Sequence, residues 1–293
     1  MESGEWVVLG ATGQLGRELM DCAAPEGVHL RAVSRSDLDL ARPETIAPVI
    51  TALKPAVVIN AAAWTDVDGA ETHEAQARAI NTDGVAALAH ACGATGARLI
   101  HVSTDYVFGG DAPQRRPSLE TDPLDPQGVY AQTKAAGEEA VRGTLPDTGA
   151  VVRTAWLYSG YGHNFARTML AKALAGEPAR VVRDQWGQPT WARDVARHIL
   201  VLGERMLDDR APAANYHATN AGEATWWEFA RWIYSLSGAD PGLVAPMDSV
   251  DLERPAPRPA WSVLGHVAWA QAGLSPMRSW REALVAAVPV IGQ

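Results

Sequence analysis

Cysteine, phenylalanine, basic charge and long apolar runs are all scarce in this chain, and each shortage excludes something. Its two cysteines in 293 residues, Cys22 and Cys92, are too few for a disulfide-dense secreted scaffold. Both fall in helical patterns and read as buried thiols of a reducing compartment. Lys and Arg number 25 against 34 Asp and Glu, a formal net charge of -9, which argues against a nucleic-acid groove or an anionic membrane surface. Any phosphate on a ligand must be met locally, by helix N-termini and a few arginines. No apolar run approaches the ~20 residues of a membrane span. Met1 to Glu5 lack the basic and apolar regions of a signal peptide, so a cytoplasmic protein is expected, with no membrane and no nucleic-acid partner. His, Cys, Asp and Glu show no zinc spacing, and no metal site is expected. The phosphate loop of nucleotide hydrolases and the Gly-x-Ser-x-Gly nucleophile elbow are missing as well.

What is present is an alternation of strand and helix. Trp6 to Leu9 is a short apolar run ending in Gly10-Ala11-Thr12-Gly13-Gln14-Leu15-Gly16, so it reads as a buried first strand. Helical spacing follows from Leu15 to Ala24. Val28 to Val33 reads as a strand, Thr45 to Leu53 as a helix closed by Pro55, and Ala56 to Asn60 as a strand. Glu74 to Ala94 reads as one long helix. Arg98 to Val102 is the strand that delivers Ser103 and Thr104, the helix of Tyr130 and Lys134 runs to about Arg142, and Ala150 to Ala155 is a further strand. This pattern predicts an α/β fold, a doubly wound parallel sheet of Rossmann-like type, with ligands at the carboxyl ends of the strands.

Between Gly109 and Gly128, Pro113, Pro117, Pro123 and Pro126 mark a long loop that reads as a lid. Beyond Trp156 the alternation weakens. Residues 1–155 read as a dinucleotide-binding domain and 156–293 as a smaller C-terminal substrate domain, with part of 190–215 returning to the first. Eleven tryptophans stand against three phenylalanines, and Trp226, Trp227, Trp232, Trp261, Trp269 and Trp280 crowd the last third. They read as helix packing, or as an aromatic surface for stacking a nucleobase.

The glycine turn follows a strand and opens a helix, the context expected of a pyrophosphate site. Gly10 permits the tight turn, Gly13 lets the backbone approach the anion, and Gly16 allows close packing. Free N–H groups at the helix start, with Thr12, Gln14 and Leu15 alongside, hold the phosphates. The second strand ends in Ser34-Arg35-Ser36 rather than in a carboxylate. Arg35 between two hydroxyls suits the 2′-phosphate of NADPH, with NADH the other possibility, although a solvated surface arginine would look the same. Asp39 and Leu40 are placed to line the adenine.

Tyr130 and Lys134 are four apart and project from one face of a helix. A free tyrosine has a pKa of about 10, and the neighbouring ammonium is expected to lower it. Tyr130 then passes its proton to a carbonyl oxygen as hydride arrives on the carbon, while Lys134 is also placed to bond the nicotinamide ribose. Thr104 would hold the substrate carbonyl. Ser103 and Asp105 share that role, bind neighbouring hydroxyls, or only pin the turn. Asn81, mid-helix where asparagine is unfavourable, holds a water near the lysine or satisfies a backbone carbonyl. Tyr-x-x-x-Lys alone is a common spacing. After a glycine turn and a strand ending in Ser-Thr it describes a carbonyl reductase.

In that order the motifs resemble the extended short-chain dehydrogenase/reductases, and within them the dTDP-4-dehydrorhamnose reductase family. The matching segments are Ala11 to Gly16, Asn60 to Asp68, Ser103 to Phe108, Tyr130 to Lys134, Arg153 to Tyr158, Asn164-Phe165, Asp184 to Thr190, Thr225 to Ala230 and Arg258-Pro259. The resemblance implies an NADPH-dependent reduction of the C4 keto group of a dTDP-linked 4-keto-6-deoxy sugar, dTDP-4-dehydro-β-L-rhamnose, by a monomer or homodimer. It implies Thr104, Tyr130 and Lys134 as catalytic residues, Ala62, Ala63 and Trp64 along the cofactor, and Thr104, Asp105 and Trp156 against the sugar nucleotide. Trp64 stands where the family often has histidine, and Trp191 and Arg193 follow the Pro-Thr in a variable stretch.

Three rivals share the fold. A 4-ketoreductase of a specialised deoxysugar pathway would have the same scaffold. A non-catalytic regulatory subunit would keep the cofactor fold but not need Thr104, Tyr130 and Lys134. A dehydratase of this group would carry Asp-Glu after the threonine, where this chain has Asp105-Tyr106.

Overall fold

The computed structural model describes residues 4–110 and 115–292. Its main strands are β1 (Glu5–Leu9), β2 (His29–Val33), β3 (Val57–Asn60), β4 (Arg98–Thr104), β5 (Gly149–Thr154) and β6 (Asn215–His217). They form one sheet in the order β6-β5-β4-β3-β1-β2, and every pairing is parallel. The longer helices are α1 (Gln14–Asp21), α2 (Ile46–Leu53), α3 (Gly84–Thr95), α4 (Gly128–Thr144), α5 (Phe165–Leu174), α6 (Ala192–Leu207), α7 (Trp226–Leu236) and α8 (Trp280–Ile291).

Successive side chains of a strand point to opposite faces, so a strand covered on both sides must be apolar throughout. Trp6 and Val8 pack with Ile59, Ile100 and Val152 against Leu19 of α1 and Ile199 of α6. Val7 and Leu9 pack with Val58 and Leu99 against Ile50 of α2, Leu88 of α3 and Val141 of α4. Helices therefore cover both faces, as the alternation predicts. From β1 the chain steps to β2 on one side and then crosses to β3 on the other. The carboxyl ends of β1 and β3 form the point of reversal where such sheets open a ligand crevice.

A second core lies among α5, α7 and α8, where Tyr158, Val181, Phe229 and Trp280 are buried together. Helices α7 and α8 each begin with a capping box, Thr225 with Glu228 and Ser279 with Glu282. Between the two cores the C-terminal half returns to the sheet: α6 packs on α1, and β6 pairs with β5. Trp269 and Trp280 are fully buried in different cores, which accounts for two of the crowded tryptophans by packing.

Two local expectations change. The helix read as continuous from Glu74 to Ala94 is α-helical over Glu74–Arg78, passes through a π-helical turn over Ala79–Asp83, and resumes as α3. The turn carries Asn81, whose buried side chain is bonded away from the helix, and π-turns are frequent at functional sites. Cys22 stands just past the end of α1 and is half-buried, whereas Cys92 is buried in α3; both are free thiols. Helix α2 ends at Leu53 as read, with Lys54 just beyond it in left-handed conformation at φ 45° ahead of Pro55.

Of the loop read as a lid, Pro113 lies outside the described residues. Its flanks are fastened to the segment 261–265. Trp261 donates its backbone N–H to the Gly110 carbonyl at 3.1 Å and its indole N–H to the Arg116 carbonyl at 2.8 Å, and Ser118 N–H bonds the Val263 carbonyl at 2.9 Å. Among the described residues no helix is long and apolar enough to cross a membrane.

Candidate active site

The turn after β1 is built around contacts that only glycine allows. Gly10 has φ 75°, and a Cβ on it would lie 2.7 Å from the Ala62 nitrogen, so the turn rests directly on the loop after β3. A Cβ on Gly16 would lie 2.1 Å from the Gly10 carbonyl oxygen. Gly13 is different: a Cβ there meets only that same oxygen, at 3.3 Å among the described residues. Its glycine serves approach from outside rather than packing inside. No side chain caps α1 and no acid stands in its first turn, which leaves the N–H groups there for an anion. These features fit the pyrophosphate of a dinucleotide.

Around this turn the expected cofactor residues divide. Thr12 is exposed beside it. Leu15 and Leu40 are buried in the two sheet cores, so only their backbones are available to a cofactor. Gln14 accepts a hydrogen bond through Oε1 from Asn164 Nδ2 at 3.0 Å; Asn164 in turn caps α5, tying the glycine turn to the second core. At the end of β2, Ser34 Oγ is 2.6 Å from both Asp37 Oδ2 and Ser36 Oγ. The Arg35 side chain is 76% exposed, with Nε 3.3 Å from Asp39 Oδ2, and is free to turn toward a phosphate. Ala62, Ala63 and Trp64 follow β3. Asn81 holds Trp64 by its backbone: Trp64 N–H donates to Oδ1 at 2.9 Å, and Nδ2 donates to the Trp64 carbonyl at 3.2 Å. Asn81 thus satisfies a backbone carbonyl, and it also donates to Thr133 Oγ1 at 3.2 Å, joining the cofactor loop to α4.

Helix α4 presents Tyr130 and Lys134 to the carboxyl end of β4. Its first turn is held by Glu71, which accepts the Val129 N–H at 2.9 Å. Tyr130 packs with Trp64, and the Tyr106 ring meets it edge-on at 5.7 Å. Thr104 Oγ1 donates to Asp105 Oδ1 at 3.0 Å and accepts the Tyr106 N–H at 3.2 Å. The same hydroxyl lies beside the Tyr130 phenol and favours its ionised form. Asp105 is buried, with Oδ2 lacking a protein partner, and burial pushes its pKa up to about 6.

Tyr130 departs from expectation. Burial, reinforced by the Asp105 charge, pushes its pKa up to about 12 rather than down. Lys134 does not offset this, because its Nζ is directed to the Val102 carbonyl, 2.7 Å away. Burial also brings Lys134 down to about 8 against the opposing pull of Glu138. Tyr130 is therefore a neutral phenol at physiological pH, a proton donor already loaded.

Sequence reasoning did not single out the polar residues behind this pair. Burial would raise Glu138, one turn beyond Lys134, but a bidentate pair with Arg153 at 2.7 and 2.9 Å holds its pKa down. Arg153 also faces His217 at 3.2 Å and lies over the Phe108 ring. His101 and Asn60 stand on the other side of the lysine. The Tyr130, Lys134, Glu138 spacing of four was a signal for Glu138; nothing in sequence distinguishes His101 from a core residue.

Trp156 follows β5 with φ 45°, in the left-handed region that a tryptophan rarely adopts. It stacks on Trp226 and is seated over Gly187, where a Cβ would come within 2.4 Å of the indole. Backbone strain of this kind collects at ligand sites.

The chain matches the family model described as RmlD substrate binding domain over residues 5–291. It is 46% identical over 286 residues to the dTDP-4-dehydrorhamnose reductase of Streptomyces griseus, covering 98% of this chain and 93% of the relative. It is 42% identical over 286 residues to the dTDP-4-keto-6-deoxy-D-glucose reductase of Streptomyces niveus, covering 98% and 97%. A crystal structure of dTDP-4-dehydrorhamnose reductase from Bacillus anthracis in complex with NADP superposes with a TM-score of 0.91 at 33% identity, covering 98% of this chain and 99% of the other.

Proposed function

The chain belongs to the RmlD substrate-binding-domain family, and we propose that it is an NADPH-dependent reductase of the C4 keto group of dTDP-4-dehydro-β-L-rhamnose, giving dTDP-L-rhamnose. The observation that carries this reading is the buried phenol of Tyr130 beside Thr104 at the carboxyl end of β4, one helical turn before the buried Lys134.

Bound NADPH supplies the hydride that C4 receives. The glycine turn, through Gly10, Thr12, Gly13, Gln14, Leu15 and Gly16, holds the pyrophosphate. Ser34 and Arg35 meet the 2′-phosphate, and Asp39, Leu40, Ala62, Ala63 and Trp64 line the rest. Thr104 orients the keto oxygen by a hydrogen bond, and Tyr130 gives that oxygen its proton. Lys134 then returns a proton to the Tyr130 oxygen. Asp105 and Trp156 contact the sugar nucleotide.

We assign residues 1–155 to cofactor binding and 156–293 to the substrate, with part of 190–215 belonging to the first unit. The packing of α6 on α1 supports the last point. A cytoplasmic monomer or homodimer is the form in which this reading has the enzyme act.

The similarity to the Streptomyces niveus reductase favours one second reading, a 4-ketoreductase acting on a sugar of different ring configuration. Tyr130→Phe tests the shared mechanism. Turnover should fall roughly 10²- to 10⁴-fold with NADPH affinity nearly unchanged. Undiminished turnover under saturating cofactor would remove the tyrosine from the reaction.

A further inference from the structure

Behind Lys134 runs a buried chain of side chains to which the reduction as described gives no task. Asn60 and His101 are fully buried at neighbouring positions of β3 and β4. Asn60 Oδ1 accepts the Ala62 N–H at 3.1 Å, and Asn60 Nδ2 stands 3.1 Å from His101 Nδ1. His101 Nε2 stands 3.5 Å from Lys134 Nζ.

The donors fix where the protons are. A backbone N–H can only donate, so the oxygen of Asn60 faces Ala62 and its NH₂ faces the imidazole. His101 Nδ1 must accept. Burial, and then the Lys134 charge, hold the His101 pKa well below its ordinary value, so the ring is neutral and its one proton is on Nε2. That N–H is directed at the Lys134 nitrogen. An ammonium has only donors and finds no acceptor there, whereas an amine accepts the bond.

We propose that Asn60 and His101 are positioning residues for Lys134: Asn60 locks His101 in the Nε2–H tautomer, which presents a donor to the lysine nitrogen and keeps it ready to give up its proton. The inference rests on the reductase reading. Tyr130 loses its proton to the C4 oxygen, Lys134 restores one to the phenolate, and water replaces the lysine proton when product leaves. The Val102 carbonyl, 2.7 Å from Nζ, already accepts one lysine proton; a second acceptor at His101 Nε2 would hold the ammonium more firmly and slow that return. Of the other ionisable groups in this region, Glu138 on the same helix acts on Lys134 and is paired with Arg153 on β5, while Asp105 in the turn after β4 acts on Tyr130. Glu71 holds the start of the helix, and Arg78, Asp83 and His90 on the segments packed behind are exposed.

Nitrogen NMR of the full-length ¹⁵N-labelled protein, with and without NADP⁺, reads the tautomer directly and needs no substrate. The wild type should show a protonated Nε2 and a bare Nδ1 at His101 from pH 6 to 9. In Asn60→Asp the carboxylate can only accept, so the single ring proton moves from Nε2 to Nδ1, where it is donated to the carboxylate, and the tautomer reverses. The titration of Lys134 Nζ and the alkaline limb of kcat should then both move up by about one pH unit. A wild-type spectrum with the proton on Nδ1 overturns the proposal even where the variant does not fold. So does a reversed tautomer with the Lys134 titration unmoved. Absence of reductase activity in the wild type would instead strike the reductase reading and leave the tautomer result standing.

Discussion

Trp156 lies flat on Trp226, with ring centroids 3.6 Å apart and planes 10° from parallel. The stack holds a tryptophan whose backbone, at φ 45°, costs of order 1–3 kcal/mol to keep. Phe165 closes the other edge of Trp226 at 4.7 Å. Removing the lower ring by Trp226→Ala gives up about 1 kcal/mol of stacking. With Trp156 placed against the sugar nucleotide as proposed above, KM for that substrate should rise roughly fivefold, with KM for NADPH unchanged. Steady-state kinetics with each substrate varied in turn decides it, and an unaltered sugar-nucleotide KM would sever Trp226 from the site.

Asp105 pays for its place with stability, and the cost depends on pH. Burial raises its pKa from 3.8 to about 6, so its proton is held more tightly in the folded chain than in the unfolded one. Its favourable contribution is complete below 3.8 and disappears as pH rises through 6, leaving a buried carboxylate at a penalty of about 3 kcal/mol. Asp105→Asn should therefore melt above the parent at pH 8 and lose that advantage at pH 4, while binding the sugar nucleotide less well. Equal differences in melting temperature at the two pH values would refute this.

Two glycines of one turn should fail in different ways. In Gly16→Ala the new methyl meets the Gly10 carbonyl at 2.1 Å, and the turn has to open, at roughly 1–3 kcal/mol or more. In Gly13→Ala the contact is 3.3 Å, so melting should change little while NADPH affinity falls about tenfold. Thermal melting and fluorescence titration with NADPH separate the two. A Gly13→Ala protein that binds NADPH normally would show that the pyrophosphate does not come near that backbone.

Arg35 is exposed and weakly paired, so its loss should leave stability alone. Arg35→Ala should lower the preference for NADPH over NADH, as a ratio of kcat/KM, roughly tenfold through the lost charge-assisted contact. A ratio unaffected by the change would place the 2′-phosphate elsewhere.

The legible parts of this molecule are those whose signal is local. The glycine turn, the strand ending at Thr104 and the Tyr130–Lys134 face are each set by a period or a spacing within a dozen residues, and the structure brings them to one end of one sheet. What escaped depends on partners far away in sequence. Asn81 lies in a π-turn and its side chain bonds the Trp64 backbone, a partner seventeen residues away that the helical pattern does not record. β6 is three residues long, too short for any period to register. The Tyr130 phenol was expected to be acidified by Lys134, but the lysine is aimed at the Val102 carbonyl and burial decides the outcome. His101 reads in sequence like any histidine in an apolar strand; only its place between Asn60 and Lys134 gives it a task.

The most direct measurement follows reduced-nicotinamide absorbance with the 4-keto sugar generated in place from dTDP-glucose by a 4,6-dehydratase, with and without a 3,5-epimerase. Oxidation of NADPH only when the epimerase is present is the expected result and establishes the L-rhamnose configuration as the substrate. Oxidation at the same rate without the epimerase would contradict it and assign the chain to reduction of the unepimerised sugar.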